Sequence, residues 1–125
     1  MPEGLKVFDE HETLVADHDA MADCLKALGY AVVFAYEKVR EKWRLNDCAV
    51  CLDTLPFGMY VEIEGTRDGI AACVKELGLA EENACTETYH SLNLCYRTER
   101  GLPEDENFVF EEAERERILK ELQSC

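Results

Sequence analysis

Basic residues alternate along one stretch of the sequence, and their spacing suggests a site for an anion. They are Lys38, Arg40, Lys42 and Arg44. In a β-strand, residues two apart point to the same face, so these cations would project together from one side. Such a row suits a polyphosphate, because lysine and arginine form charge-assisted hydrogen bonds with phosphate oxygens.

Acidic residues with the same spacing follow further along the chain. Glu62 and Glu64 lie two apart in a β-rich stretch, and Asp53 ends the stretch before it. Carboxylates suit a hard divalent cation such as Mg²⁺ or Mn²⁺. A metal-bridged triphosphate would provide counter-ions for both sets of charges, since its phosphates would pair with the cations and its metal with the acids. The alternative is an ordinary solvated face, whose cross-strand charge pairs each contribute only about 0.2 to 1 kcal/mol.

Two stretches, 17–29 and 66–78, have the signals of complete amphipathic helices. Each begins with an N-cap residue, Asp17 or Thr66, and each ends at a glycine. The apolar stripes have helical spacing. The first stripe contains Met21, Cys24, Leu25 and Leu28, and the second contains Ile70, Cys73, Val74 and Leu77.

Three β-rich runs lie between these helices, at residues 31–45, 49–53 and 59–64, and short turns join them. Connections this short cannot form parallel crossovers, so the runs predict an antiparallel meander. A fourth strand is predicted over residues 5–15. This order of elements predicts an α+β fold, with helices covering one face of the sheet and the charged residues of all strands on the other.

Several single residues are assigned by their place in these elements. Trp43 falls on the apolar side of its strand and is predicted to be core. Tyr60 falls on the charged side, where its ring could stack on a substrate base. Cys48 and Cys51 have the spacing of a redox or zinc half-site, but residues three apart in a strand face opposite sides, which argues against that role.

The net charge and the cysteines limit the classes of partner. A formal net charge of -14 opposes binding to nucleic acid or to an anionic membrane surface. No apolar run approaches the roughly 18 residues of a membrane span. The 7 cysteines are scattered through apolar patterns, which suits reduced thiols better than a disulfide framework. We therefore expect a cytoplasmic protein whose anionic ligand meets a local cluster of cations.

The order of these motifs resembles one family. Residues 37–44 (Glu-Lys-Val-Arg-Glu-Lys-Trp-Arg), 50–53 (Val-Cys-Leu-Asp) and 58–64 (Gly-Met-Tyr-Val-Glu-Ile-Glu) precede a helix that ends in Leu-Gly. This order is similar to the C-terminal part of CYTH domains, the triphosphate-binding β-tunnel fold of class IV adenylyl cyclases and thiamine triphosphatases. Residues 10–13, Glu-His-Glu-Thr, resemble the acidic strand before that family's central helix.

The resemblance implies a role for each charged residue. Lys38 and Arg40 would bind phosphate oxygens, and Arg44 is a further candidate for the same role. Lys38, Arg40 and Asp53 would be the catalytic residues, with Asp53 as an acid that assists the metal ligands. The ligands of Mg²⁺ or Mn²⁺ would be carboxylates, namely those of Glu62, Glu64 and Glu12.

The resemblance also implies an organisation and a function. Residues 1–100 would form part of a CYTH-like tunnel, with helices on its outer face. Residues 89–98 fit either a strand or a helix, and residues 101–125 would add a charged helical extension. The implied function is to bind ATP or another organic or inorganic triphosphate, for adenylyl cyclase or triphosphatase chemistry.

The sequence departs from the family in one respect, which leaves a second interpretation open. CYTH domains open with a Glu-x-Glu-x-Lys strand, and this pattern is not found in the sequence. A truncated reading frame would explain this departure, or a homodimer or a partner chain would complete the tunnel. The alternative is a non-catalytic half-domain that acts as a binding or assembly module.

Overall fold

The structure is a computed structural model that describes residues 5–124, and its fold is α+β, as predicted. None of the helices in this part of the chain combines the length and the apolar composition that a membrane crossing requires. The elements in chain order are α1 (His18–Ala27), β1 (Val39–Leu45), β2 (Cys48–Leu55), β3 (Gly58–Glu64), α2 (Arg67–Glu76), a short 3-10 helix (Glu81–Asn83), α3 (Tyr89–Glu99) and α4 (Glu112–Gln123).

The strands form one antiparallel sheet in the order β1-β2-β3, which confirms the predicted meander, although its first strand begins at Val39 rather than at residue 31. A tight turn at residues 46–47 joins β1 to β2. There Asn46 has a φ of 55°, a left-handed conformation that asparagine tolerates better than most residues. The sheet is not closed into a barrel, so β1 and β3 are both edge strands.

The strand register places charged residues in rows across the sheet. Arg40 pairs with Asp53, and Asp53 pairs with Tyr60. In the next row, Cys51 pairs with Glu62. Directly paired residues share a face, so the predicted cations and acids do lie together. We call this side, which carries Arg40, Asp53 and Glu62, the charged face.

Helix α2 packs against the opposite face of the sheet. The Thr66 hydroxyl accepts a hydrogen bond from the Gly69 N–H, which confirms the predicted N-cap. Cys73 is fully buried, and its thiol donates to the Leu45 carbonyl at 3.4 Å. A Cβ atom at Gly69 would lie only 3.1 Å from the Cys48 Sγ, so the helix and β2 are in close contact.

Helix α3 and the chain that follows it cover part of the charged face. The Tyr89 hydroxyl, in the first residue of α3, contacts Asp53. The Phe57 ring lies 5.7 Å from the Tyr96 ring and 5.5 Å from the Phe108 ring. Residues 89–98, for which the sequence allowed a strand or a helix, are therefore helical and pack on the sheet.

The chain before α4 is joined to the start of β1. Tyr36 and Phe108 form an isolated parallel bridge. The Glu37 carboxylate accepts hydrogen bonds from the Phe110 N–H at 3.0 Å and from the Arg115 guanidinium at 2.8 Å. These contacts fix the backbone immediately before Lys38.

Three expectations about packing are wrong. The predicted strand over residues 5–15 does not form, and Val7 is 85 % exposed there. Helix α1 forms with Asp17 as its N-cap, but no residue of α1 is buried, so only α2 packs on the outer face as predicted. Trp43 is 58 % exposed rather than core, because α2 packs mainly on β2 and β3 and reaches β1 only at its last residue, Leu45.

Candidate functional site

Asp53 lies at the centre of a cluster of charged side chains and is fully buried. Its Oδ1 accepts a hydrogen bond from Arg40 Nε, and its Oδ2 accepts one from Arg40 Nη2, both at 2.7 Å. This is the bidentate geometry that matches a planar guanidinium to a carboxylate. The register of β1 and β2 creates the contact by placing the two residues opposite each other.

Glu62 extends the cluster onto β3. Its Oε2 accepts a second hydrogen bond from Arg40 Nη2 at 2.7 Å, and its side chain is 28 % exposed. The Arg40 side chain therefore links all strands of the sheet. Both partners of its contact with Glu62 are partly exposed, whereas Asp53 is fully buried.

Lys38 places a second cation near the same buried carboxylate. Its Nζ lies 3.9 Å from Asp53 Oδ2, and 26 % of its side chain is exposed. The ammonium also lies 5.5 Å from the centre of the Tyr89 ring, within the range of a cation–π contact. Lys38 is thus fixed beside the cluster while it stays accessible.

Tyr89 is a member of the cluster that sequence reasoning missed. Its hydroxyl donates a hydrogen bond to Asp53 Oδ2 at 2.7 Å. The contact depends on α3 folding back over the sheet, and periodicity carries no information about such a long-range contact. One local signal was available: Thr88 caps α3 by accepting from the Ser91 N–H, and it marks a helix that starts at Tyr89.

The cluster holds Asp53 as a carboxylate. Burial alone would raise the pKa of Asp53, but hydrogen bonds from Arg40 and Tyr89, with the charges of Arg40 and Lys38, outweigh it and bring the pKa below its ordinary value. The hydrogen bond to Asp53 raises the pKa of the Arg40 guanidinium further. The pKa of Tyr89 is raised mainly by burial and secondly by the hydrogen bond to Asp53, so its phenol stays a proton donor.

The other predicted site residues lie outside this cluster. Arg44 is exposed, about 13 Å along β1 from Arg40 at the usual rise per residue. Glu64 is exposed at the end of β3, on the same face as Glu62. Glu12 lies in the exposed segment that forms no strand. The structure therefore brings together Lys38, Arg40, Asp53 and Glu62.

The carboxylates do not form a complete metal site by themselves. Within residues 5–124, no group of three or more His, Cys, Asp or Glu side chains could hold a metal ion. Of the predicted ligands, Glu62 and Glu64 share a strand and a face. Mg²⁺ commonly takes one or two carboxylates and completes its shell with water and substrate phosphates. These residues therefore fit a metal that arrives with a phosphate ligand.

Comparison with known proteins establishes the family. The CYTH domain family matches residues 3–89, which include every member of the charged cluster. This chain belongs to the CYTH domain family. The family consists of triphosphate tunnel proteins, which often use divalent metals. Neither the curated proteins nor the solved structures contain a match to the chain.

Proposed function

We propose that this chain binds the phosphate groups of a triphosphate on the charged face of its sheet, together with Mg²⁺ or Mn²⁺. The observation that carries the proposal is the convergence of Lys38 and Arg40 on one buried carboxylate, Asp53. Two cations held beside a partly open surface offer N–H donors to phosphate oxygens. Membership of a triphosphate tunnel family supports the same ligand.

Each basic residue has a distinct part in this proposal. Lys38 makes the first contact, because its ammonium is partly exposed and its pairing with Asp53 is long, at 3.9 Å. Arg40 keeps its bond to Asp53, and a phosphate oxygen replaces Glu62 on its Nη2 atom. Asp53 acts by fixing the Arg40 guanidinium. Arg44, further along β1, contacts the far end of an extended phosphate chain.

The acids on β3 supply the protein ligands of the metal. When phosphate displaces Glu62 from Arg40, the freed carboxylate lies on the same face as Glu64. We assign the metal to Glu62 and Glu64, with water and phosphate oxygens completing its shell, and we do not include Glu12, which lies in the exposed segment before α1. The bound metal would neutralise phosphate charge and align the attacking and leaving oxygens.

The open sheet is one wall of the proposed site. Strands β1 and β3 end the sheet on either side, and edge strands carry backbone groups that can pair with another strand. We propose that a second copy or a partner chain closes the tunnel against these edges. In that closed form the triphosphate would undergo cyclisation or phosphohydrolysis.

Titration calorimetry with inorganic tripolyphosphate, in Mg²⁺ and in EDTA, tests the proposal. Glu62→Gln and Glu64→Gln are expected to remove the metal-dependent part of the affinity. Glu116→Gln, on the exposed surface of α4, is the matched control and is expected to bind as the unaltered chain does. If Glu62→Gln and Glu64→Gln leave the affinity unchanged, the metal assignment is wrong.

A non-catalytic assembly module is the second candidate, and helix α1 favours it. The apolar stripe of α1 is unburied: Met21 is 42 %, Leu25 is 43 % and Leu28 is 75 % exposed. An amphipathic helix whose apolar stripe is exposed can bury that stripe against another subunit. Self-association that persists in EDTA and in Lys38→Met, and that is lost in Leu25→Asp, would favour this candidate.

A further inference from the structure

Arg115, on α4, holds the residue that immediately precedes Lys38. Its Nη2 donates a hydrogen bond to Glu37 Oε1 at 2.8 Å, and its Nε donates one to Glu37 Oε2 at 3.1 Å. The Phe110 N–H donates to the same carboxylate at 3.0 Å. A guanidinium that binds both oxygens of a carboxylate fixes the direction of that group as well as its position. Glu37 is thus held by residues far from it in sequence.

The Arg115 guanidinium is fully engaged with the protein. Its Nη1 donates to Glu112 Oε2 at 2.9 Å, and its Nη2 also donates to the Phe110 carbonyl at 3.2 Å. Each of its three nitrogens therefore has a protein acceptor. The hydrogen bond from Arg115 is also the main cause that lowers the pKa of Glu37, which keeps the carboxylate ionised and the pair intact. Arg115 is suited to hold Glu37 in place rather than to bind a phosphate.

Lys38 depends on its backbone for its position more than Arg40 does. Lys38 Nζ lies 3.9 Å from Asp53 Oδ2 and 5.5 Å from the centre of the Tyr89 ring. Both distances are longer than a hydrogen bond, and the lysine side chain is flexible. Arg40, in contrast, is held by two hydrogen bonds of its own to Asp53. A backbone shift just before Lys38 would therefore move its ammonium, whereas Arg40 would keep its place.

The residues that hold Glu37 lie in a part of the chain to which the family match assigns no role. That match ends at residue 89, and Phe110 and Arg115 lie beyond it. The sequence predicts only a charged helical extension for residues 101–125. The contacts with Glu37 tie this extension to the start of the strand that carries the proposed phosphate-binding cations.

We propose that Arg115 is a positioning residue for phosphate binding: by fixing Glu37, it holds Lys38 where the ammonium meets a phosphate oxygen. The inference rests on the proposed phosphate site and adds a role for α4 in it. Arg115 makes no contact with the ligand. Its effect on affinity therefore passes through Lys38 and disappears when Lys38 is absent.

Titration calorimetry with inorganic tripolyphosphate in Mg²⁺ compares Arg115→Met with the unaltered chain. Binding is expected to be about fivefold weaker, somewhat less than the loss of one charge-assisted hydrogen bond. Arg117→Met is the matched control, because it removes the same charge from the same helix, and the Arg117 ion pairs stay within α4. It is expected to bind as the unaltered chain does. Urea unfolding of each variant checks that the fold is intact.

Two further variants separate positioning from a general loss of structure. Lys38→Met with Arg115→Met is expected to bind no more weakly than Lys38→Met alone, because no ammonium remains to be positioned. Arg115→Lys keeps the charge but lacks the planar fork of the guanidinium, so it should recover part of the affinity. It also tests the same contact with a smaller loss of stability, should Arg115→Met fail to fold.

The outcomes distinguish the inference from the proposal on which it rests. If Arg115→Met binds as tightly as Arg117→Met and the unaltered chain, the inference is wrong, and the phosphate site is unaffected. If Arg115→Met weakens binding by the same factor with and without Lys38, it acts through the fold, and the inference is again wrong. If the unaltered chain does not bind tripolyphosphate, the phosphate site and the inference are both wrong.

Discussion

Arg40 and Asp53 form a bidentate ion pair across β1 and β2, with both N···O distances at 2.7 Å. The pair stabilises the fold, because it neutralises a carboxylate that is fully buried. It also positions a residue of the proposed site, because it fixes a guanidinium on the charged face. The ion pair therefore links stability to ligand binding, and variants must separate the two.

Replacing Arg40 is expected to destabilise the fold. Arg40→Met leaves the buried Asp53 carboxylate without its main partner, a change that typically costs about 3 kcal/mol. Urea unfolding at neutral pH measures the loss. Arg44→Met is the control, because Arg44 lies on the same strand and is exposed, and its cost should stay within about 0.5 kcal/mol. Equal losses in the two variants would show that the ion pair does not stabilise the sheet.

The stability contributed by Asp53 is expected to disappear in acid. Its folded-state pKa lies below the ordinary value of 3.8, so folding favours the ionised form. This contribution is complete above pH 3.8 and is lost as the pH falls through the folded-state pKa. The unfolding free energy of Asp53→Asn should therefore vary less below pH 3.8 than that of the unaltered chain. Glu37 and Asp105, whose pKa values are also lowered, contribute equally to both proteins.

Asp68→Asn is the control for this pH series, because it changes an exposed acid on α2 and keeps Asp53. It is expected to retain the acid dependence of the unaltered chain. Parallel curves for the unaltered chain and Asp53→Asn would contradict the prediction.

Removing the Tyr89 hydroxyl is expected to weaken the cluster while the ring stays in place. Tyr89→Phe deletes a hydrogen bond to a charged acceptor, which typically contributes about 1.5 to 3 kcal/mol. It also removes one of the contacts that lower the pKa of Asp53, so that pKa should rise. Carboxyl ¹³C chemical shifts against pH measure the second effect. Tyr36→Phe is the control, because Tyr36 is 51 % exposed, and an unmoved Asp53 titration in Tyr89→Phe would contradict the prediction.

Trp43 is the single tryptophan of the chain, so its fluorescence reports directly on the exposed middle of β1. At 58 % exposure, its emission should already be characteristic of a solvated indole in the folded protein. Acrylamide should quench it nearly as well before unfolding as after. Blue-shifted, protected emission would mean that another surface covers β1 in solution.

The sequence predicts the parts of the fold that local signals determine. Asp17 and Thr66 cap their helices as expected, because an N-cap needs only the backbone N–H groups that follow it. Short turns determine the meander, and the register then places Arg40 beside Asp53. These parts of the site follow from local sequence patterns alone.

The predictions that failed concern residues whose structure depends on contacts with residues distant in sequence. Residues 5–15 have the composition of a strand, but a strand needs a neighbour, and the structure pairs this segment with none within residues 5–124. Trp43 is exposed because α2 covers only part of the apolar face. Tyr89 reaches Asp53 from 36 residues away, through a fold of the chain that no local pattern encodes.

The binding of inorganic tripolyphosphate to Lys38→Met, measured by titration calorimetry in Mg²⁺, tests the central claim most directly. Lys38 is partly exposed, and its contacts are a long one with Asp53 and a cation–π contact with Tyr89, so its loss should leave the fold intact. The matched control is Lys75→Met, on α2 at the opposite face of the sheet. The account predicts that Lys38→Met weakens binding at least about tenfold, the loss of one charge-assisted hydrogen bond, while Lys75→Met binds as the unaltered chain does. Equal affinity in Lys38→Met and Lys75→Met, or no binding by the unaltered chain, would contradict it.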